Sequence, residues 1–218
     1  MKSDYAVTGI RWLTEETFVL STERKDLKFD AGQLVSLGPR GMGVNREYSV
    51  YSGEKDSQLE FLVRKVRGGT VSVALAKLKP GDLVFVLGPY SDFRLKELAS
   101  SKSPIWFIAT GTGIAPFRSM VRSNPDLDFK VIHGVREPEE RYDFADYPAA
   151  RYQACISGKD AEKGGAFRGR VTDYLRSAQL PKNGHFYLCG NNKMITDAYA
   201  ILREAGVSSN NIHSEVFF

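Results

Sequence analysis

Residues 105–123 read IWFIATGTGIAPFRSMVRS: an apolar strand, a glycine turn and a helix in direct succession. A glycine turn in that setting brings backbone N–H groups and the positive end of a helix against a bound phosphate. Gly111 and Gly113 permit the close approach, while Pro116 stands where the dinucleotide fingerprint has its third glycine. Proline is tolerated in the first turn of a helix, so the loop still serves as a helix entrance. A purely structural turn is the alternative reading of the stretch when it is taken alone. Its surroundings decide.

Downstream, strand and helix patterns alternate. FKVIHGV (129–135), RYQACIS (151–157), RVTDYLRSA (170–178), HFYLCG (185–190) and MITDAYAILREAG (194–206) lead to a last strand, NIHSEVFF (211–218). Such alternation implies a parallel sheet covered by helices. Upstream the rhythm differs. YAVTGIRWL (5–13), TFVLSTER (17–24), QLVSLGP (33–39), REYSVYS (46–52), LEFLVRKV (59–66) and LVFVLGPY (83–90) are short, β-branched or aromatic, and separated by turns. That spacing predicts an antiparallel barrel or sandwich. Within it, TVSVALAKLKPGD (70–82) predicts a helix with Val71, Leu75 and Leu78 on one face, Thr70 as its cap, and Pro80 with Gly81 as its stop. The polar stretch KELASSKSP (96–104) separates the two patterns, which places the domains at residues 1–98 and 99–218.

Composition narrows the classes. With 42% hydrophobic and 26% charged residues, a chain of 218 residues builds sizeable cores and is not disordered. No apolar run approaches the roughly 20 residues of a membrane helix, and MKSDYAVTGI has no apolar stretch typical of a secretory signal. Cys155 and Cys189 are too far apart for a CxxC metal or iron–sulfur framework, and point to a reducing, cytoplasmic setting. His133, placed at a strand end, and His185 and His213 fit no ligand spacing, so no metal site is expected. The net charge of +4 comes without a Lys/Arg block. An acidic protein or a phosphate-bearing cofactor accounts for it as well as nucleic acid would, and no nucleic-acid partner is expected.

Three further stretches carry chemistry. In REYSVYS an arginine can hold a pyrophosphate, a tyrosine can pack flat on a ring, and a serine can hydrogen-bond a ring nitrogen; an ordinary barrel strand reads the same way. In VRKVRGGTVS (63–72), Gly68 and Gly69 open the short helix, a second helix start able to take phosphate beside Thr70 and Ser72. In HGVRE (133–137), Arg136 stands where an NAD-specific fold places an acidic residue and suits a 2′-phosphate instead, although a solvated surface arginine is equally consistent.

Taken in order, REYS, GGTVS, GTGIAPF, HGVRE, LCGNNKM and an aromatic terminus resemble the ferredoxin–NADP reductase superfamily in its compact bacterial form, over nearly the whole chain. The resemblance implies an N-terminal antiparallel FAD-binding β-barrel followed by a C-terminal Rossmann-like NADP-binding domain with a parallel sheet, hydride passing between nicotinamide and flavin in the cleft. It implies that Arg46 holds the FAD pyrophosphate, Tyr48 stacks on the isoalloxazine and Ser49 sits by the nitrogen that exchanges hydride. Val63, Arg64 and Lys65 match the strand along the FAD, and Thr70, Val71 and Ser72 its pyrophosphate helix. Thr112 and Gly113 match the nucleotide loop, and Arg136, Lys159 and Arg170 are the candidates for the 2′-phosphate and pyrophosphate. Cys189 and Gly190 match the pair beside the nicotinamide, and Glu215 a carboxylate of the terminal strand; Ser49 and Glu215 would tune the ring's charge and relay protons. A terminal phenylalanine would stack on the flavin as a displaceable lid. Alternation favours Phe218, whereas related chains that continue past EVF use the equivalent of Phe217, so both stay candidates.

Three departures stand out: Gly158 and Lys159 where arginine often follows the serine, Ser91 within GPYSDF where relatives have glycine, and Asn192 for a frequent proline. The natural partner is a one-electron carrier, an acidic ferredoxin or flavodoxin. Open alternatives are a reductase component of a multicomponent oxygenase or other electron-transfer complex, a non-catalytic flavoprotein interaction module, and FMN in place of FAD.

Overall fold

The structure, a computed structural model, describes residues 2–95, 103–159 and 165–217. The chain divides into two compact units, Met1–Leu95 with Ala115–Pro125, and Lys96–Ile114 with Asp126–Phe218. The expected boundary between residues 98 and 99 lies outside the described residues.

The first unit contains β1 (Lys2–Trp12), β2 (Thr17–Glu23), β3 (Leu34–Pro39), β4 (Arg46–Ser49), β5 (Gln58–Arg64), α1 (Val71–Leu75) and β6 (Leu83–Tyr90). The strands form one antiparallel sheet in the order β4-β3-β6-β1-β2-β5. The two end strands are drawn together by a bridge between Val50 and Phe61 and by the Tyr51 N–H donating to the Glu60 carbonyl at 2.8 Å, which curls the sheet into a barrel. Alternate residues face inward: Phe18 and Leu20, Leu59, Phe61 and Val63, and Val84 and Val86 form the core. Val71 and Leu75 of α1 are buried in the same core, as the helical spacing predicts; Leu78 packs against it from beyond the helix, which ends at Leu75 and not at Pro80 and Gly81.

The predicted cap does not form. Thr70 is itself in the right-handed helical region and makes no side-chain cap bond. Ser72 takes over the local role: its Oγ accepts from the Val66 N–H at 3.1 Å. Ser91 adopts φ +80, the left-handed conformation that favours the glycine of relatives, and its Oγ accepts from the Phe93 N–H at 3.0 Å.

The helix α2 (Ala115–Ser123) groups with the barrel. Its Arg118 is buried, donating to the Tyr51 carbonyl at 3.1 Å and the Glu60 carboxylate at 2.8 Å, with the guanidinium 4.2 Å from the Tyr51 ring centroid. Ser119 Oγ donates to the Ser52 carbonyl at 2.7 Å, and Arg122 Nε to Asp56 at 2.9 Å.

The second unit contains β7 (Ile105–Thr110), β8 (Phe129–Val135), β9 (Tyr152–Ile156), β10 (Phe167–Arg168), α3 (Val171–Ser177), β11 (His185–Asn191), α4 (Asn192–Glu204) and β12 (Ile212–Phe217). The sheet is parallel throughout, in the order β10-β9-β8-β7-β11-β12. Chain order reverses between β7 and β11, the switch point at which doubly wound sheets open a crevice for ligands. One face buries Trp106, Ile108, Ile132, Phe186 and Leu188 under Val171 and Leu175 of α3 and Met194, Ala198 and Leu202 of α4. Between β8 and β9 the described segment has three short 3₁₀ turns where an α-helix is usual, and β10, two residues long, escapes the sequence pattern. Among the described residues no helix is long and apolar enough to cross a membrane.

Replacing Arg118 by alanine leaves the Glu60 carboxylate and the Tyr51 carbonyl without their donor. Urea unfolding should show a loss of about 2–3 kcal/mol, reduced from a fully buried pair because Glu60 is partly solvated.

Candidate functional site

In the first unit β4 carries three of the expected residues, Arg46 and Tyr48 on one face by strand alternation and Ser49 on the other. Arg46 is exposed, its guanidinium donating to the neighbouring Asn45 carbonyl at 2.8 Å. Tyr48 is half-buried, its ring backed by the barrel core, and burial pushes its phenol up to about 12. Ser49 is 2% exposed, and its hydroxyl has no hydrogen-bond partner. A buried hydroxyl without a partner costs on the order of 1–3 kcal/mol, so this position fits a ligand that supplies one.

The helix α1 packs on β3, the strand paired with β4, and so shares its side of the barrel. Gly68 ahead of it adopts φ +75, and Val71 and Ser72 are buried. Ser72 Oγ accepts one bond from Val66 and keeps its proton to donate. At the end of β5, Val63 lies wholly within the core, Arg64 pairs with Glu16 at 3.5 Å, and Lys65 Nζ lies 5.3 Å from the Trp12 ring centroid.

In the second unit the glycine turn lies at the switch point. Gly111 takes φ +53 and opens a 3₁₀ turn through Ile114 that leads into α2. A Cβ on Gly113 would come within 2.3 Å of the Cys189 carbonyl oxygen, and one on Gly190 within 2.4 Å of Thr110 Oγ1. Both glycines are therefore demanded by the closeness of two strand ends. Thr110 Oγ1 also accepts from the Asn191 N–H at 3.0 Å. Thr112, in the same turn, is half-buried. Cys189 is fully buried, and burial followed by the charge of Glu215 holds its thiol well above the usual range, so it is a neutral thiol. Glu215 and Phe217 pair in register with Cys189 and Asn191. Phe218 lies outside the described residues.

Arg136, Lys159 and Arg170 are exposed, and follow the carboxyl ends of β8, β9 and β10, three neighbouring strands. The first two ends are tied by the Gly158 N–H donating to the Arg136 carbonyl at 2.8 Å; a side chain at Gly158 would come within 2.3 Å of that oxygen. Glycine here is a steric requirement.

His133 lies inside β8, not at its end, and is fully buried. Its Nε2 lies 2.9 Å from the Gly111 carbonyl and its Nδ1 2.8 Å from the Tyr152 hydroxyl. A carbonyl only accepts, so Nε2 carries the proton and Tyr152 donates to Nδ1. Desolvation keeps the ring neutral, bringing its pKa down to about 4. The signal in the sequence was a lone polar residue within an apolar parallel strand, a position that requires a partner. His185 and His213 stack on one another with centroids 6.0 Å apart, and no cluster of metal ligands occurs among the described residues.

Residues 13–95 match the oxidoreductase FAD-binding domain family and residues 107–199 the oxidoreductase NAD-binding domain family. The flavodoxin/ferredoxin–NADP reductase of Escherichia coli K12 is 32% identical, over 88% of this chain and 86% of that protein. The chain belongs to the ferredoxin–NADP reductase superfamily. Its FAD-binding and NAD-binding domains follow in the order that the resemblance implies, and the FAD-binding match replaces the FMN alternative. The toluate 1,2-dioxygenase electron transfer component of Pseudomonas putida is 33% identical, over 97% of this chain but only 66% of its own length. A ferredoxin NADP+ reductase from Neisseria gonorrhoeae, solved with bound FAD and NADP, superposes with a TM-score of 0.89 at 25% identity, covering 100% of this chain and 99% of that one.

Because the unfolded chain binds a proton at His133 near pH 6.5 and the folded chain only near 4, stability from this residue is complete above about 6.5 and falls as pH drops towards 4. A His133→Gln variant lacks this titration. Between pH 6.5 and 4.5 the stability gap between wild type and variant should narrow by about 2 kcal/mol in urea unfolding.

Proposed function

We propose that the protein transfers hydride between NADP(H) and FAD and exchanges single electrons with a ferredoxin or flavodoxin. The observation that carries this reading is the buried, unpartnered Ser49 hydroxyl on β4 of an FAD-binding domain. FAD supplies the ring that accepts a hydride and releases its electrons singly. The chain's own residues position and polarise.

Arg46 offers an exposed guanidinium to the FAD pyrophosphate, joined by the Thr70 hydroxyl, the backbone at Val71 and the spare proton of Ser72. Tyr48 presents an aromatic face held in place by the core behind it. Ser49 donates or accepts at the flavin nitrogen, and Arg64 and Lys65, with the backbone at Val63, lie along the FAD. In the other domain Thr112 and Gly113 admit the nicotinamide nucleotide's backbone against the strand ends, and Gly190 keeps its own end free of a side chain. Arg136, Lys159 and Arg170 place three cations along one sheet edge, which favours a 2′-phosphate and hence NADP over NAD. The neutral Cys189 thiol packs beside the nicotinamide without acting as a nucleophile, and the Glu215 carboxylate holds or moves a proton when the ring changes charge. Phe217 or Phe218 is the candidate that the family resemblance offers for a displaceable cover of the ring.

The net charge of +4 suits an acidic one-electron carrier. Two buried free cysteines suit a reducing compartment, the cytoplasm. A second reading, a reductase component serving an oxygenase, is favoured by the similarity to the toluate dioxygenase component. In that case the iron–sulfur ligands come from elsewhere, because two cysteines are fewer than a cluster's four.

The purified protein should be yellow, and NADPH should bleach its flavin bands faster than NADH. A flavin spectrum that neither nucleotide alters overturns the reading. Ser49→Ala should keep its flavin yet slow that bleaching roughly tenfold or more in stopped flow, the effect of losing one hydrogen bond of about 1.4 kcal/mol in the transition state.

A further inference from the structure

We infer that His133, held by Tyr152, is a positioning residue for the nicotinamide nucleotide: it fixes the Gly111 carbonyl and so sets the shape of the glycine turn. The inference rests on the reading of that turn as the NADP-binding loop.

The turn is gripped on two sides. On the β11 side the grip is steric, with Gly113 against the Cys189 carbonyl and Gly190 against Thr110. On the β8 side it is polar and depends on one bond, from His133 Nε2 to the Gly111 oxygen at 2.9 Å. Gly111 has φ +53, and the position of a Cβ there is empty, so no side chain anchors this residue. A glycine without a side chain has wide backbone freedom, and the imidazole supplies a constraint on it.

The imidazole is in turn fixed by the Tyr152 hydroxyl at 2.8 Å. The phenol can donate only if Nδ1 is bare, which leaves the proton on Nε2, where the carbonyl needs it. Tyr152 stands at the start of β9, packed against Tyr147 with ring centroids 5.5 Å apart, and burial keeps its phenol protonated far above its usual range. The chain Tyr152–His133–Gly111 thus runs from the sheet's interior to the turn, with one donor and one acceptor at each link. A carbonyl rotated away from Nε2 turns the Thr112 N–H of the same peptide plane with it, a group of the turn that a phosphate would meet.

The test uses the flavin-loaded full chain, reduced by NADPH with ferricyanide as acceptor and NADH in parallel, together with spectral titration by NADP+. Wild type that reduces with neither nucleotide sinks the nucleotide reading itself, and this inference with it. Where wild type turns over, His133→Leu should raise the NADPH KM and the NADP+ Kd about tenfold or more, with kcat within twofold and the flavin spectrum unchanged. His133→Gln, whose amide can donate to the carbonyl and accept from Tyr152, should restore both to within about threefold. If the leucine variant does not fold, Tyr152→Phe decides, with an expected rise of threefold or more in KM at unchanged kcat. Unchanged KM in whichever variant folds, or a fall in kcat without a rise in KM, overturns the inference.

Discussion

At the carboxyl ends of β7 and β11 two backbones run closer than any side chain permits. Gly113 faces the Cys189 carbonyl, and Gly190 faces Thr110, at separations that a Cβ would reduce to 2.3–2.4 Å. This closeness occurs at the reversal of strand order, the place where sheets of this kind open a crevice for ligands. The neutral Cys189, the strand position of Glu215 and the exit of α2 follow from the same join. Three exposed cations, Arg136, Lys159 and Arg170, follow the neighbouring strand ends.

The barrel unit answers a different constraint. Its core is filled by alternating residues of six strands, which leaves the polar side chains of β4 to face a ligand or the solvent. Ser49 is the exception, since it is buried without being satisfied. An unsatisfied buried hydroxyl costs stability in the free protein and recovers it when a partner arrives, which makes β4 a better guide to function than any exposed residue around it.

Much of this was legible in the sequence because the signals are local. Residues 105–123 announce strand, turn and helix through apolar run, glycine pair and proline, and the helix limits agree with that pattern. Long-range partners left no such mark. Arg118 looks like a solvated helix charge until the fold brings Tyr51 and Glu60 to it. His133 looks like a strand-end residue until Gly111 and Tyr152 meet its two nitrogens. Thr70 has the composition of a cap, but the backbone turns helical one residue early and Ser72 bonds Val66 instead. At Ser91 the missing glycine of relatives was visible, whereas the left-handed conformation that serine sustains there was not.

The grouping of Ala115–Pro125 with the barrel bears on how the chain is made. A ribosome releases Met1–Leu95 long before Arg118, Ser119 and Arg122 emerge, so the nascent barrel waits with the Tyr51 and Ser52 carbonyls and the Glu60 and Asp56 carboxylates still hydrated. Its completion requires a segment encoded beyond the first strand of the other unit. A gene fragment that stops near residue 98 therefore ends before its own last structural piece, and the two halves of this polypeptide are interleaved in synthesis although each is compact in space.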